Sequence, residues 1–316
     1  MNKILYHIVH SLWYVASLLP LRIHYVFSDW VLYVFIYKIA KYRVKVVRKN
    51  LTESFPEKDT SELRQIESRF YHCLCDYFVE TIKMMTISPE EMQRRMVFTG
   101  IDVVNQCLAE GQSCALYLGH LFNWEWITSV CTWMSPEAKR GQLYHALENP
   151  IFDKILLEIR QRWGGECILI ADVLRKIIEY HREGKPSALG YIADQVPHWN
   201  NIHHWCQFLS HDTPVMTGTE RIATKNHQAL FYMDVQLIKR GHYQVDLKLM
   251  TREPQQLKPF EATDIYFRML EENIRRQPEL WLWSHNRWKR THEEFDRRFI
   301  VVNGKVMPKE PKEYIL

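Results

Sequence analysis

His120 and Glu125 are the residues through which this chain can do chemistry, an imidazole and a carboxylate five positions apart in Gly119-His120-Leu121-Phe122-Asn123-Trp124-Glu125. A neutral histidine whose one ring nitrogen donates to a carboxylate presents the other as a proton acceptor, which suits it to deprotonate an alcohol near neutral pH. Five positions along a continuous helix is a rotation of about 500°, which would send the two side chains to different faces. The pair therefore requires His120 to sit outside the helix. Its neighbours allow that: residues 114–118 are a short apolar run, as in a buried strand, and Trp124, Ile127, Thr128 and Cys131 recur at helical spacing. A strand ending near Gly119 and a helix beginning near Asn123 put His120 in the turn. Glu125 then falls in the first helical turn, beside backbone N–H groups that no helical carbonyl satisfies. The plainer reading is a satisfied histidine at a strand end and a surface glutamate, because H-x-x-x-x-E alone is a permissive pattern.

The elements that must hold this turn read as an α/β fold, a mixed, largely parallel sheet flanked by helices. Short apolar runs at 142–147, 168–170 and 187–192 alternate with helical patterns at 151–163 and 172–182, the rhythm of strand–helix–strand units. Upstream, a helix over 60–86 is capped by Thr60 or Ser61, one begins at Ser88-Pro89, and another covers 101–110. Downstream, 229–237 and 243–250 form a hairpin across Lys239-Arg240-Gly241, and 263–276 is a helix ending before Pro278. Sites in such sheets lie at the carboxyl ends of strands. His120, Asn149 and Asp194 all fall at such ends.

Length and composition fit one catalytic domain. The chain has 316 residues, 47% of them hydrophobic, with no Pro/Gly/Ser-rich linker and no repeat of fixed period. A formal charge of +4 does not suggest nucleic-acid binding. Seven cysteines without a C-x-x-C pattern look like reduced core residues. His198, His203, His204 and His211 invite a metal reading, but adjacent His203 and His204 cannot both face one ion from a regular element, so no metal is expected. At the N-terminus two apolar runs flank Pro20, and Lys38, Lys41, Arg43, Lys45, Arg48 and Lys49 follow without an acidic residue. That order is the reverse of a secretory signal, so residues 1–40 read as an uncleaved membrane anchor with the basic flank cytoplasmic, and 41–316 as the catalytic domain. Trp13, Tyr14, Tyr25, Trp30, Tyr33 and Tyr37 suit a membrane interface. A helical hairpin packed on the domain is the alternative.

Gly119-His120-Leu121-Phe122-Asn123-Trp124-Glu125 resembles the Gly-His-x-Gly-Asn-Trp-Glu signature of the bacterial lipid A biosynthesis acyltransferases, the lauroyl and myristoyl transferases. Val47-Arg48-Lys49-Asn50-Leu51 with Phe55-Pro56, Asp194-Gln195, and Trp283-Ser284-His285-Asn286-Arg287-Trp288-Lys289 resemble three further segments of that family in the same order. Phe122 departs from the pattern by standing at its glycine, and Ser210 replaces another glycine after Phe208-Leu209. The resemblance implies a glycerolphosphate-acyltransferase-like fold, an acyl chain delivered as a thioester on acyl carrier protein, a lipid A precursor hydroxyl as acceptor, and no cofactor. It implies His120 and Glu125 as the catalytic pair, with Asn123, Asn149, Arg160, Arg162, Asp194, Gln195, His285 and Arg287 binding substrate. Location follows as the bacterial inner membrane, facing the cytoplasm. The basic C-terminal edge, Arg287, Lys289, Arg290, Arg297 and Arg298, is expected to recruit the anionic carrier or the acceptor's phosphates. Two rivals remain: the same chemistry on a lysophospholipid or aminolipid, and a non-catalytic lipid-binding protein on the same fold.

Overall fold

The computed structural model describes residues 3–302 and 304–309. In chain order its first nine strands are β1 (Met96–Thr99), β2 (Cys114–Leu118), β3 (Lys139–Tyr144), β4 (Glu166–Leu169), β5 (Ser187–Ile192), β6 (Trp205–Phe208), β7 (His211–Pro214), β8 (Ala229–Lys239) and β9 (His242–Thr251). Seven of them form one sheet in the order β1-β9-β8-β2-β5-β3-β4, while β6 and β7 pair separately. From β8 through β2, β5 and β3 to β4 every pairing is parallel. β9 returns antiparallel to β8 and carries β1 parallel to itself. The expected mixed, largely parallel α/β sheet is therefore the observed one. Its central strand shows why the sequence could reveal it: all five residues of β2 are buried, so it reads as an unbroken apolar run rather than an alternating one.

The register of the central strands sets the site. Leu118, last in β2, lies opposite Ile192, last in β5. The chain leaves both strands at the same level, so residues two beyond each end emerge side by side. The helix expected after Asn123 is only Trp124–Ile127, tightening at once into a 3₁₀ stretch, Thr128–Thr132. β3 ends at Tyr144, three residues short of expectation, and residues 145–150 are exposed.

The Thr60–Lys83 helix starts one residue earlier in its capping than expected. Asp59 accepts from the Glu62 N–H while the Glu62 side chain accepts from the Asp59 N–H, a reciprocal box that Thr60 and Ser61 do not make. One face buries Ile66, Phe70 and Leu74, but also the acids Glu67, Asp76 and Glu80. Those acids face the N-terminal segment. The Lys3–Leu18 helix and the helical stretch Leu21–Ile39 meet at 109°, and among the described residues no single helix is long and apolar enough to cross a membrane. Widened turns occur in the second stretch, where Ala40 N–H reaches the Phe35 carbonyl at 2.8 Å. Inward, Tyr25, Ser28 and Tyr37 hydroxyls donate to Glu80, Asp76 and Glu67 at 2.8, 2.6 and 2.9 Å. Outward, Ile8, Leu12, Val15, Ile23, Val26, Trp30, Phe35 and Ile39 are exposed.

Candidate active site

His120 leaves β2 through Gly119, where a Cβ would stand 2.7 Å from Leu270 Cδ1 and 3.4 Å from Asp194 Oδ2. A side chain there would have to displace the Leu270 methyl that packs over the turn. The turn is pinned from behind: the Leu282 N–H donates to the His120 carbonyl at 3.1 Å and the Phe122 N–H to the Leu280 carbonyl at 3.0 Å. Asp194, two residues past β5, meets His120 twice. Its Oδ1 is 2.6 Å from His120 Nδ1, and its Oδ2 accepts from the His120 backbone N–H at 2.9 Å. Trp281 Nε1 donates to the same Oδ2 at 2.7 Å. Burial alone would push this carboxyl up, but the charge and hydrogen bonds of His120 and the indole N–H hold it down at about 2. An ionised Asp194 fixes the proton of neutral His120 on Nδ1 and makes Nε2 the accepting nitrogen.

This corrects the expected pairing of His120 with Glu125. Glu125 is buried, but its carboxylate takes a bidentate pair from Arg160, Nε to Oε2 at 2.7 Å and Nη2 to Oε1 at 2.6 Å. Tyr77 OH and Trp124 Nε1 each donate to Oε1 at 3.2 Å. Burial opposes the Arg160 charge, yet the two bonds to Glu125 outweigh it and raise its pKa. The physical reason is reach: helix start and strand end point Glu125 toward the Pro150–Gln161 helix, while the parallel neighbour delivers Asp194 to the imidazole. Both groups still face one space. A cavity of about 390 Å³ opens beside His120, lined by the polar groups of Glu125, Arg160 and Gln195 and by Leu116, Leu118, Trp124, Met134, Gly190 and Met233. Leu147 and Ile170, both exposed, stand at its rim.

Several other expected contact residues do different work. Asn123 is fully buried; its Oδ1 accepts from the Glu125 and Trp126 N–H groups, and its Nδ2 donates to Glu80 at 2.9 Å. Asn149 caps the Pro150–Gln161 helix by accepting from Ile151 at 3.0 Å and Phe152 at 3.4 Å, and it does not line the cavity. Arg162 donates to the Met84 and Ile87 carbonyls, closing the end of the Thr60–Lys83 helix. Arg287 is 0% exposed: Nη2 donates to the Pro214 carbonyl at 2.7 Å and the guanidinium lies 5.9 Å from the Phe267 ring. Burial lowers its pKa to about 10, so it stays charged, but it cannot present itself to a carrier protein. His285 is partly buried, Val196 N–H donating to it at 3.5 Å, and burial lowers it to about 4. Phe122 packs against Phe70, Tyr77 and Trp124, away from the cavity, so its bulk does not close the site where the resembling pattern has glycine. Ser210 takes the left-handed backbone with φ 65°, as the replaced glycine would.

One buried group was not singled out from the sequence. Glu80 is 0% exposed and accepts from Tyr25 OH, Tyr243 OH and Asn123 Nδ2 at 2.8, 2.9 and 2.9 Å. Burial and the nearby Asp76 charge raise it to about 7, and its three hydrogen bonds offset that only in part. A glutamate at the buried i+4 position after Asp76 was the available signal, but it is indistinguishable from a solvated charge until the segment covering it is placed.

A model of the bacterial lipid A biosynthesis acyltransferases matches residues 2–290. Lipid A biosynthesis acyltransferase 2 of Shigella flexneri is 21% identical over 161 residues, 51% of this chain and 50% of that one. Lipid A biosynthesis myristoyltransferase of Escherichia coli K12 is 22% identical over 135 residues, 43% of this chain and 41% of that one. A Haemophilus influenzae lipid A biosynthesis acyltransferase is 22% identical over 155 residues, 49% and 47%. The aligned stretch thus spans about half the length of these curated relatives.

Proposed function

The chain belongs to the bacterial lipid A biosynthesis acyltransferase family, and from that premise we propose that it transfers an acyl chain from an acyl carrier protein thioester to a hydroxyl of a lipid A precursor. The observation that carries the reading is the His120–Asp194 pair, with His120 lining a largely apolar cavity. The acyl chain lies in the cavity with its thioester carbonyl near His120. His120 Nε2 takes the proton of the acceptor hydroxyl as its oxygen attacks that carbonyl, and Asp194 stabilises the resulting imidazolium. Collapse of the tetrahedral intermediate breaks the C–S bond, and the departing thiolate takes the proton back from His120. Glu125 fixes the Arg160 guanidinium on the cavity wall. Among the described residues Arg160 Nη1 has no hydrogen-bond partner, which leaves its two N–H groups for an acceptor phosphate or the polar end of the donor.

The exposed apolar face of residues 3–39, with the opposite face committed to the domain, supports seating on a membrane, which for this family reading is the inner membrane with the domain on its cytoplasmic side. Purified protein given acyl carrier protein thioester and lipid A precursor is expected to yield a product heavier by one acyl group in mass spectrometry. His120→Ala, with unchanged circular dichroism, is expected to lose all but about 10⁻² to 10⁻⁴ of that rate. Turnover near wild type in that variant would refute the mechanism. Product only with a lysophospholipid or aminolipid would move the acceptor and keep the chemistry.

A further inference from the structure

The His120 lone pair is already occupied. Gln195 Nε2 lies 3.3 Å from His120 Nε2, and both side chains line the cavity. Which atom of the amide faces the ring follows from Asp194. With Nδ1–H donated to an ionised carboxylate, Nε2 of the neutral ring can only accept, so Gln195 must offer its N–H rather than its oxygen. Among the described residues this is the only hydrogen bond of the Gln195 side chain. An acceptor hydroxyl that gives its proton to His120 needs that same lone pair. The amide has to yield the position, and its N–H groups are then left half-buried, beside the reacting oxygen, without a protein partner.

Resting on the acyl-transfer reading, we propose that Gln195 is a catalytic residue: its amide caps His120 Nε2 in the empty site, is displaced by the acceptor hydroxyl, and then donates to the carbonyl oxygen of the thioester as negative charge develops there. Electrons balance at each step. The hydroxyl proton passes to Nε2, the new C–O bond forms, and the carbonyl π pair moves onto oxygen, which then accepts a hydrogen bond from the Gln195 N–H. Re-forming the carbonyl expels the thiolate, and Gln195 returns to the ring when product leaves. A donor that meets charge only in the transition state lowers the barrier without tightening substrate, so its loss acts on kcat rather than KM. Asp194 and Gln195 are consecutive, so one turn after β5 supplies both the group that orients the base and the group that receives the charge the base creates.

The test is steady-state kinetics on the full chain with acyl carrier protein thioester and lipid A precursor, following thiol release. Gln195→Ala and the size-preserving Gln195→Met should each lower kcat by about 10² to 10³ with KM for both substrates within about threefold. Gln195→Glu should move the acidic limb of the pH–rate profile upward, because a carboxylate beside Nε2 favours imidazolium. A rise in KM with kcat intact, or an acidic limb unmoved in Gln195→Glu, would overturn the assignment. His120→Ala in the same assay separates the two failures. If it is inactive while both neutral Gln195 variants turn over like wild type, only this inference falls. If it is active, the acyl-transfer mechanism falls with it.

Discussion

Asp194 and Glu80 are buried to the same degree and behave in opposite ways. Asp194 is held down at about 2 and Glu80 is pushed up to about 7. Desolvation acts on both in the same direction; what differs is what each meets. Asp194 meets an imidazole that can carry positive charge, a backbone N–H and an indole N–H. Glu80 meets two phenols and an amide, all neutral, with Asp76 as a like charge nearby. The first arrangement produces a permanent anion that polarises a base. The second produces a carboxyl poised between forms, joining the N-terminal segment, β9 and the turn before Glu125. Burial alone therefore says nothing about whether a carboxylate is chemical or structural; its partners decide.

The comparison breaks first at Asp194. Asp194→Asn keeps the size and removes the charge that fixes the tautomer, so kcat should fall by on the order of 10⁴ while the melting temperature changes little. A loss under tenfold would mean that Asp194, like Glu80, is chiefly structural. Next is Glu80→Leu, which orphans two buried donors and one half-buried one at up to about 1–3 kcal/mol each and should show as a lower urea midpoint rather than a specific kinetic defect. Trp281→Phe removes one donor from Asp194 and should raise its pKa. A hydrogen bond to a charged group contributes about 1.5–3 kcal/mol, so the loss should be partial, readable as a smaller kcat decrease than in Asp194→Asn.

The smallest effect is the most diagnostic. A carboxyl whose folded pKa is raised contributes stability present below its ordinary value near 4.5 and lost as pH rises through about 7. One whose folded pKa is depressed contributes stability present above its ordinary value near 3.8 and lost as pH falls through about 2. Wild-type melting temperature should therefore decline between about pH 4.5 and pH 7 by an amount that Glu80→Gln abolishes. Parallel pH curves for the two proteins would show that Glu80 is ionised throughout, as Asp194 is.

Much of this site is legible in the sequence. The β2 and β5 runs were readable because strands buried on both faces are largely apolar, and the placement of His120 in a turn followed from the apolar run ending at Leu118 and the helical spacing that starts at Trp124. Asp194 was legible as a strand-end residue and not as the partner of His120. Its pairing depends on β5 being the neighbour of β2 with Leu118 opposite Ile192, an adjacency of residues 74 positions apart. Glu125 was legible as a residue of the first helical turn, yet its partner sits on a helix whose direction no local pattern specifies. Arg287 shows the reverse error, since a basic residue among tryptophans reads as a surface patch and only packing shows that it is fully buried.

By itself the sequence determined the periodicities, and through them the strands, the caps and the turn that exposes His120, because those depend on contacts within a few residues. Tertiary structure decided which carboxylate meets the imidazole, which arginine meets Glu125 and which acid is buried without a cation. Those choices depend on strand order, register and the covering of one surface by another, and the charge state of a buried group follows from its neighbours in space rather than its neighbours in the chain.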